Sequence, residues 1–148
     1  MKKTFTIGAF AIILDEEKKV LLCHRRDYDL WNLPGGGVEA GEAPWECAVR
    51  EVKEEVGLDV EIDYLAGIYS KNNSDIVFSF VCKIVGGKIK KTSEADKIEY
   101  FSLKDIPKNT SPKQVERIND ALNQKNKKLI MKTQIGPSSI DLVKQGKL

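Results

Sequence analysis

The chain has 148 residues, which suits one domain of ordinary size with a core of its own. Its composition, 41% apolar and 31% charged, is that of a globular protein rather than a disordered or fibrous one. A net charge of +2 excludes the class of nucleic-acid binders that depends on bulk positive charge.

Cysteine usage and the N-terminus bear on where the protein works. The cysteines are odd in number and widely spaced, and the chain has one histidine, which argues against disulfides and zinc sites. Free thiols indicate a cytoplasmic protein. The apolar run after Lys2 and Lys3 resembles a short secretion signal, but acidic residues follow it instead of a cleavage site. No apolar stretch is long enough to span a membrane.

The N-terminal part is predicted to begin with a β-hairpin. Residues 4–14 and 20–26 are rich in β-branched and aliphatic residues, which predicts two strands that pair with each other across a turn at Asp15–Lys19. Residues 30–42 contain four glycines and a proline, which predicts a loop with Trp31–Leu33 as a possible short strand.

A helix is predicted over residues 44–56, because Pro44 suits the first turn and Gly57 suits the end. Apolar side chains recur at steps of three and four positions, which predicts a buried stripe. The stripe consists of Trp45, Ala48, Val49, Val52 and Val56.

The following residues predict more strands and a second helix. Strands are expected near 59–70, 75–85 and 97–103, with turns at 71–74 and 86–88. A helix is expected to begin at Pro112 with Ser111 as its cap and with Val115, Ile118 and Leu122 facing inward. Strands mixed with two helices predict an α+β fold in which helices cover a sheet.

The C-terminal segment is richer in apolar residues than a disordered tail would be. Residues 128–135 have β character, Gly136–Pro137 indicates a turn, and Ser138 or Ser139 could cap a short helix through Lys144. We therefore expect a main domain over residues 1–126 and an ordered extension over 127–148 that packs on the same domain or on a second subunit.

The helix at 44–56 gathers carboxylates that repel one another. Glu51 lies beside Glu54 and Glu55 at i+3 and i+4, so water or a cation must offset the repulsion. Clustered hard oxygen ligands suit Mg²⁺ or Mn²⁺ rather than zinc. The alternative is an ordinary solvated helix face. The glycine-rich residues just before the helix favour the metal, because such backbone approaches a metal or phosphate closely.

Residues 36–58 resemble the signature of the Nudix hydrolases. That signature is Gly, five residues, Glu, seven residues, then Arg-Glu-aliphatic-x-Glu-Glu-x-Gly-aliphatic. It is matched by Gly36, Glu42, Arg50, Glu51, Val52, Glu54, Glu55, Gly57 and Leu58. The resemblance extends over residues 4–124. It implies the Nudix fold, a mixed sheet between helices, and a Mg²⁺-dependent hydrolase, with Mn²⁺ possible, of a nucleoside diphosphate linked to another group.

The resemblance also implies roles for individual residues. Glu51, Glu54 and Glu55 would hold metal, together with the carbonyl of Gly35. Glu51 or a neighbour such as Glu54 would activate the attacking water. Arg50 would join Glu42 in an ion pair that orients the loop and the helix.

Residues outside the signature carry weaker signals. Some members of the family have an additional acidic metal ligand ahead of the last strand of the main domain, and Glu94 corresponds best to it. The alternative is a loop carboxylate that is only solvated. Arg25 and Arg26 should point to opposite faces of a strand, and Arg26 matches a substrate-contacting position better. Gly36 is expected to approach the substrate. Trp31 could stack on a base, but packing is favoured, and His24 is assigned no role.

The substrate is the least specified feature. No proline follows the signature at the distance expected of ADP-ribose hydrolases, which favours a MutT-like nucleoside triphosphate pyrophosphohydrolase. The alternative is a non-catalytic Nudix-fold module that senses a nucleotide, but such modules usually lose signature glutamates. The expected partner is a small nucleotide, with no membrane or nucleic acid involved, and the protein is expected to be a monomer or homodimer.

Overall fold

The computed structural model describes residues 4–71 and 74–148. Within these ranges the chain forms eight strands and three α-helices. The strands are β1 Thr6–Ile13, β2 Val20–Arg25, β3 Trp31–Asn32, β4 Gly35–Gly37, β5 Leu58–Lys71, β6 Asp75–Gly87, β7 Ala95–Phe101 and β8 Ile130–Gln134. The helices are α1 Pro44–Val56, α2 Pro112–Asn123 and α3 Ser139–Lys144.

The strands form two sheets. A five-stranded sheet has the order β4-β1-β6-β5-β8, and a three-stranded antiparallel sheet has the order β3-β2-β7. The larger sheet is mixed, because β1 pairs with β6 and β5 pairs with β8 in parallel, whereas the other neighbours are antiparallel. The predicted α+β fold with a mixed sheet is confirmed.

The predicted hairpin of the first two strands is wrong. Strands β1 and β2 lie in different sheets, and Leu14, just after β1, forms an isolated bridge with Val20. Each is a central strand: β4 and β6 occupy the two edges of β1, and β3 and β7 occupy those of β2. A short turn favours local pairing, but these long-range partners leave neither strand an edge for the other.

Other boundaries also differ from the sequence prediction. Gly35–Gly37 forms strand β4 against β1 rather than a loop. Strand β6 continues through the expected turn at 86–88 as far as Gly87, whose φ of 75° ends it. The turn predicted at 71–74 includes residues 72 and 73, which lie outside the described ranges.

Helix α1 has the predicted bounds. Pro44 occupies its first turn, and Gly57 ends it in the left-handed conformation at φ 83°. Its buried residues are Cys47, Ala48, Val52 and Val56. Trp45 does not belong to this buried stripe, because its side chain in the first turn is 57% exposed. Helix α1 therefore has one face in the core and leaves the other for its charged residues.

Helix α2 buries polar residues that apolar periodicity does not reveal. Ile118 is fully buried and Val115 and Leu122 are half-buried, but Gln114 and Arg117 are buried as well. Ser111 occupies the cap position without a capping hydrogen bond from its side chain. Desolvation lowers the pKa of Arg117 to about 10, so this guanidinium depends on the groups packed around it.

The C-terminal segment supplies a partner for Arg117. Strand β8 pairs with β5 from Gly67 opposite Ile130 to Lys71 opposite Gln134. The buried Gln134 side chain accepts a hydrogen bond from Arg117 Nε at 3.0 Å and donates to the Lys113 carbonyl at 2.9 Å. Helix α3 follows, capped by Ser138, whose Oγ accepts from the backbone N–H of Asp141.

Among the described residues, none of the helices combines the length and the apolar character needed to cross a lipid bilayer.

We predict that Gln134→Leu lowers the free energy of unfolding by about 2 kcal/mol, because a buried charged group loses a hydrogen-bond acceptor. Urea denaturation measures the difference. Ile135→Ser is the control, because the Ile135 side chain is 84% exposed and its change should stay within about 0.5 kcal/mol. Equal stability of Gln134→Leu and the unsubstituted protein would show that Arg117 does not depend on this contact.

Candidate active site

A cavity of about 550 Å³ is lined by residues from both sheets and from all three α-helices. Gly35, Gly36, Glu55 and Glu94 form part of its wall. Its size is within the range of small-molecule sites in proteins. The carboxylates therefore lie at a cavity that could hold a small ligand.

Three carboxylates lie close together, and two of them, Glu55 and Glu94, line this cavity. Glu51 and Glu55 come from α1, Glu94 comes from the loop before β7, and one oxygen of each lies within 4.8 Å of the other two. Glu54 is outside this group of three, and its half-exposed carboxylate accepts a hydrogen bond from Arg50 Nη1 at 3.1 Å. The structure thus brings the distant Glu94 to two of the three predicted helix ligands.

Burial and like charge make these carboxylates costly as anions. Desolvation raises the pKa of Glu55 to about 8; the 2.8 Å hydrogen bond from the Gly35 N–H opposes this rise, and the charges of Glu51, Glu94 and Glu54 add to it. Desolvation also raises the pKa of Glu51 despite its ion pair with Arg50. A bound cation would offset both effects. Because every donor is a carboxylate oxygen, the cluster suits Mg²⁺ or Mn²⁺ better than zinc.

Arg50 ties the segment before α1 to the helix. Its Nε and Nη2 donate to the two oxygens of Glu42 at 2.6 and 3.0 Å, and its Nη1 donates to Glu51 at 3.1 Å. The hydrogen bond from Arg50 holds the pKa of Glu42 at about 2. Arg50 therefore connects Glu42 to two neighbouring carboxylates of α1, Glu51 and Glu54.

The glycines of β4 allow the backbone to lie directly against the carboxylates. A Cβ added at Gly36 would lie 2.7 Å from Glu51 Oε1, and one at Gly35 would lie 2.5 Å from the Ala9 carbonyl oxygen. The Gly35 N–H is the group that contacts Glu55, and a metal-ligating role for the Gly35 carbonyl remains a prediction.

The loop that carries Glu94 is held from two sides. Thr92 Oγ1 donates to the Glu55 carbonyl at 2.9 Å and accepts from the Glu94 N–H at 3.2 Å. Arg26 Nε donates to the Thr92 carbonyl at 2.7 Å. Sequence reasoning missed Thr92, because its contacts depend on tertiary structure and leave no local pattern.

Arg25 and Arg26 both line the cavity, contrary to the expectation that only one would reach it. The pairing of β2 with β7 shifts register between His24 and Arg25, so strict strand alternation ends there. Arg25 is paired with Asp27 through two hydrogen bonds of 2.7 and 2.6 Å. Arg26 also lines the cavity, and its terminal nitrogens donate no hydrogen bond to any residue in 4–71 or 74–148.

His24 links β7 to the segment between β2 and β3, although no sequence pattern assigns it a role. Its Nδ1 lies 2.8 Å from Asp96 Oδ1 and its Nε2 lies 2.8 Å from Asp29 Oδ1. A neutral imidazole carries one N–H, so two carboxylate partners require the imidazolium form. Burial opposes this charge, but the hydrogen bonds with Asp29 and Asp96 outweigh it and raise the pKa of His24. Trp31 packs edge-on against His24 and Phe101, as the packing interpretation expected.

Comparison with known proteins identifies one family, and the relatives in it are named for different substrates. The model of the NUDIX domain matches residues 4–121. A Bacillus subtilis protein provisionally named 8-oxo-dGTP diphosphatase is 36% identical over 80% of this chain and 81% of its own length. The ADP-ribose pyrophosphatase of Methanocaldococcus jannaschii is also 36% identical, over 65% of this chain and 62% of its own length.

A solved structure also resembles this chain in fold. The crystal structure of an ADP-ribose pyrophosphatase from Streptococcus suis superimposes with a TM-score of 0.73 and 29% identity, covering 86% of this chain and 99% of that one.

We predict that Gly36→Ala displaces the Glu51 carboxylate and lowers metal affinity and turnover, the latter by about a hundredfold, because small misplacements at a site are costly. The melting temperature should change little, since the flexible end of a side chain is what must move. Gly37→Ala is the matched control, because a Cβ there meets nothing within 4 Å. Equal Mn²⁺ affinity in both variants would contradict the proposed contact.

We predict that His24→Gln destabilises the protein most at acidic pH, because it removes charged hydrogen bonds, although solvent screening at the exposed Asp29 reduces the effect. The pKa of His24 is raised on folding, so its stabilisation is complete below the unfolded pKa of about 6.5 and is lost as pH rises through the folded pKa. Urea unfolding of the parent and the variant at roughly pH 5.5, 7 and 8.5 measures the difference in stability below and above the unfolded pKa of His24. A difference that does not shrink with rising pH would exclude the imidazolium.

Proposed function

Because the chain belongs to the NUDIX family of hydrolases, we propose that it hydrolyses a phosphoanhydride bond of a nucleoside triphosphate with Mg²⁺ or Mn²⁺. The clustering of Glu51, Glu55 and Glu94, two of which line the cavity, carries this proposal. A solvated helix face would neither bury Glu55 nor bring a carboxylate from a separate loop to it.

The carboxylates fit the cation that the family implies. Glu51, Glu55 and Glu94 would hold it, with Glu54 and the Gly35 carbonyl as further ligands. When bound, a divalent cation neutralises charge on the diphosphate and lowers the pKa of a water molecule. The raised pKa of Glu55 supports this assignment, since a nearby cation would favour its charged form.

The protein's own groups position the reactants. Arg50 holds Glu42 and the helix carboxylates in place, and the terminal nitrogens of Arg26 can donate to phosphate oxygens in the cavity. Glu51 or Glu54 accepts a proton from the attacking water. The water oxygen bonds to phosphorus while the bridging P–O bond breaks. The leaving group, which is pyrophosphate or the nucleoside monophosphate according to which phosphorus is attacked, takes that electron pair.

The choice of a triphosphate rests on the sequence. The two relatives with equal identity are named for 8-oxo-dGTP and for ADP-ribose, so similarity alone does not choose between them. The lack of the proline typical of ADP-ribose hydrolases favours the triphosphate.

The three cysteines are free and buried, which fits the cytoplasm as the site of action.

A nucleotide panel assayed with Mg²⁺, with products identified by mass, tests the proposal. We expect a nucleoside monophosphate and pyrophosphate from a nucleoside triphosphate. If ADP-ribose were the one panel member hydrolysed, with release of AMP, the protein would be an ADP-ribose hydrolase instead. Tight binding of a nucleotide without turnover of any panel member would instead support the sensing module.

We predict that Glu55→Gln lowers turnover by about a hundredfold or more at saturating Mg²⁺, because the site loses a charged ligand. EDTA should abolish the activity of the unsubstituted protein, and added Mg²⁺ or Mn²⁺ should restore it.

Thermal melting separates this effect from unfolding. Without metal, and at a pH above the Glu55 pKa of about 8, Glu55→Gln should be at least as stable as the parent, because like-charge repulsion and a buried charge are relieved. Mg²⁺ should raise the melting temperature of the parent and not of the variant. Glu99→Gln, which changes an exposed carboxylate on β7, is the control. Near-parental turnover by Glu55→Gln would refute the ligand assignment.

A further inference from the structure

One wall of the cavity is formed by side chains that the hydrolytic chemistry does not use. Lys71 at the end of β5, Gln114 of α2, Ser139 of α3 and Phe10 of β1 all line it. Phe10 pairs with Gly35, the residue whose N–H contacts Glu55, so this wall adjoins the carboxylates. We call Lys71, Gln114 and Ser139 the donor wall.

Each member of the donor wall carries a hydrogen-bond donor without a partner in residues 4–71 and 74–148. The half-buried Lys71 makes no hydrogen bond or ion pair there. Gln114 accepts from the Leu33 N–H through Oε1, which leaves its amide N–H groups free. Ser139 leaves the capping of α3 to Ser138, so its hydroxyl is also free. Donors from three separate elements therefore face one space.

The charge around the donor wall favours acceptor atoms in a ligand. Desolvation lowers the pKa of Lys71, and the charges of Arg117 and Lys113 lower it further, while Asp75 opposes them. Arg117 also lies over the Phe10 ring at 5.4 Å, and its buried Nη1 has no hydrogen-bond partner among the described residues. A ligand group that presents its own N–H donors here would leave buried donors unpaired.

Phe10 adds an aromatic surface beside these donors. Its ring lines the cavity next to Gly35, whereas Trp31, the aromatic residue considered for stacking on sequence grounds, is packed between His24 and Phe101. Flat aromatic ligands stack on such rings. A planar group with exocyclic oxygens matches both the ring and the donors.

We propose that the donor wall and Phe10 form the nucleobase subsite, and that it selects bases with a carbonyl oxygen over bases with an amino group in its place. This inference rests on the proposed function, because it requires a nucleotide in the cavity. The Lys71 ammonium and a donor of Gln114 or Ser139 would bond to the two lone pairs of the carbonyl oxygen. An amino group in its place would leave the Lys71 ammonium, which cannot accept a hydrogen bond, without a partner. Through Ser139, the C-terminal segment becomes a determinant of specificity.

ITP and ATP form a matched pair of probes. At position 6 of the purine, ITP has a carbonyl oxygen and ATP has an amino group, and ITP also carries a proton at N1 that ATP lacks. We expect the kcat/KM for ITP to exceed that for ATP by about tenfold, mainly through KM, because unpaired donors weaken binding. In Lys71→Met and Ser139→Ala the ITP-to-ATP ratio should fall towards one. Lys128→Met, which removes an exposed lysine outside the cavity, should keep the parental ratio.

Equilibrium binding of ITP and ATP in EDTA provides a readout without turnover, and melting temperatures check that each variant folds. Equal affinity of the parent for both nucleotides, or a parental ratio in both Lys71→Met and Ser139→Ala, would overturn the subsite. Failure to hydrolyse either nucleotide with Mg²⁺, combined with the expected binding ratio in EDTA, would refute the proposed function and retain the subsite.

Discussion

The ion pair between Arg50 and Glu42 is the contact on which the arrangement of the site depends. Arg50 lies on the same helix as Glu51 and Glu54 and donates to both, while it holds Glu42 of the preceding segment through two hydrogen bonds. One guanidinium thus keeps the backbone of β4 close to a cluster of negative charge. Without that link, repulsion among the glutamates would favour separation of the helix from the glycine strand.

The core makes this concentration of charge tolerable. Cys47, Ala48, Val52 and Val56 fix one face of α1 against the larger sheet, so its other face is held in position whatever its charge. Glu55 is then buried next to the Gly35 N–H, and Thr92 brings the loop of Glu94 to it. The site combines a rigid helix and strand with one loop, each anchored by its own contacts.

Features set by neighbouring residues could be predicted from the sequence, and features set by distant partners could not. The bounds of α1 follow from Pro44, Gly57 and apolar periodicity, which act locally. The partners of β1 and β2 and the burial of Arg117 depend on residues far along the chain. His24 is the clearest case at the site, because one of its carboxylate partners lies 72 positions away. Glu94 could be predicted only from the resemblance to the family, because nothing in its local sequence marks it as a ligand.

The position of β8 has a consequence for the order of folding. Because the ribosome delivers the chain from its N-terminus, the β5 edge that β8 covers is synthesised well before its partner. Until then β5 exposes unpaired backbone groups, and Arg117 lacks the side chain of Gln134. The residues of the carboxylate cluster are therefore synthesised before Ser139 of the donor wall. The carboxylate cluster and the donor wall would then be completed at different moments of translation.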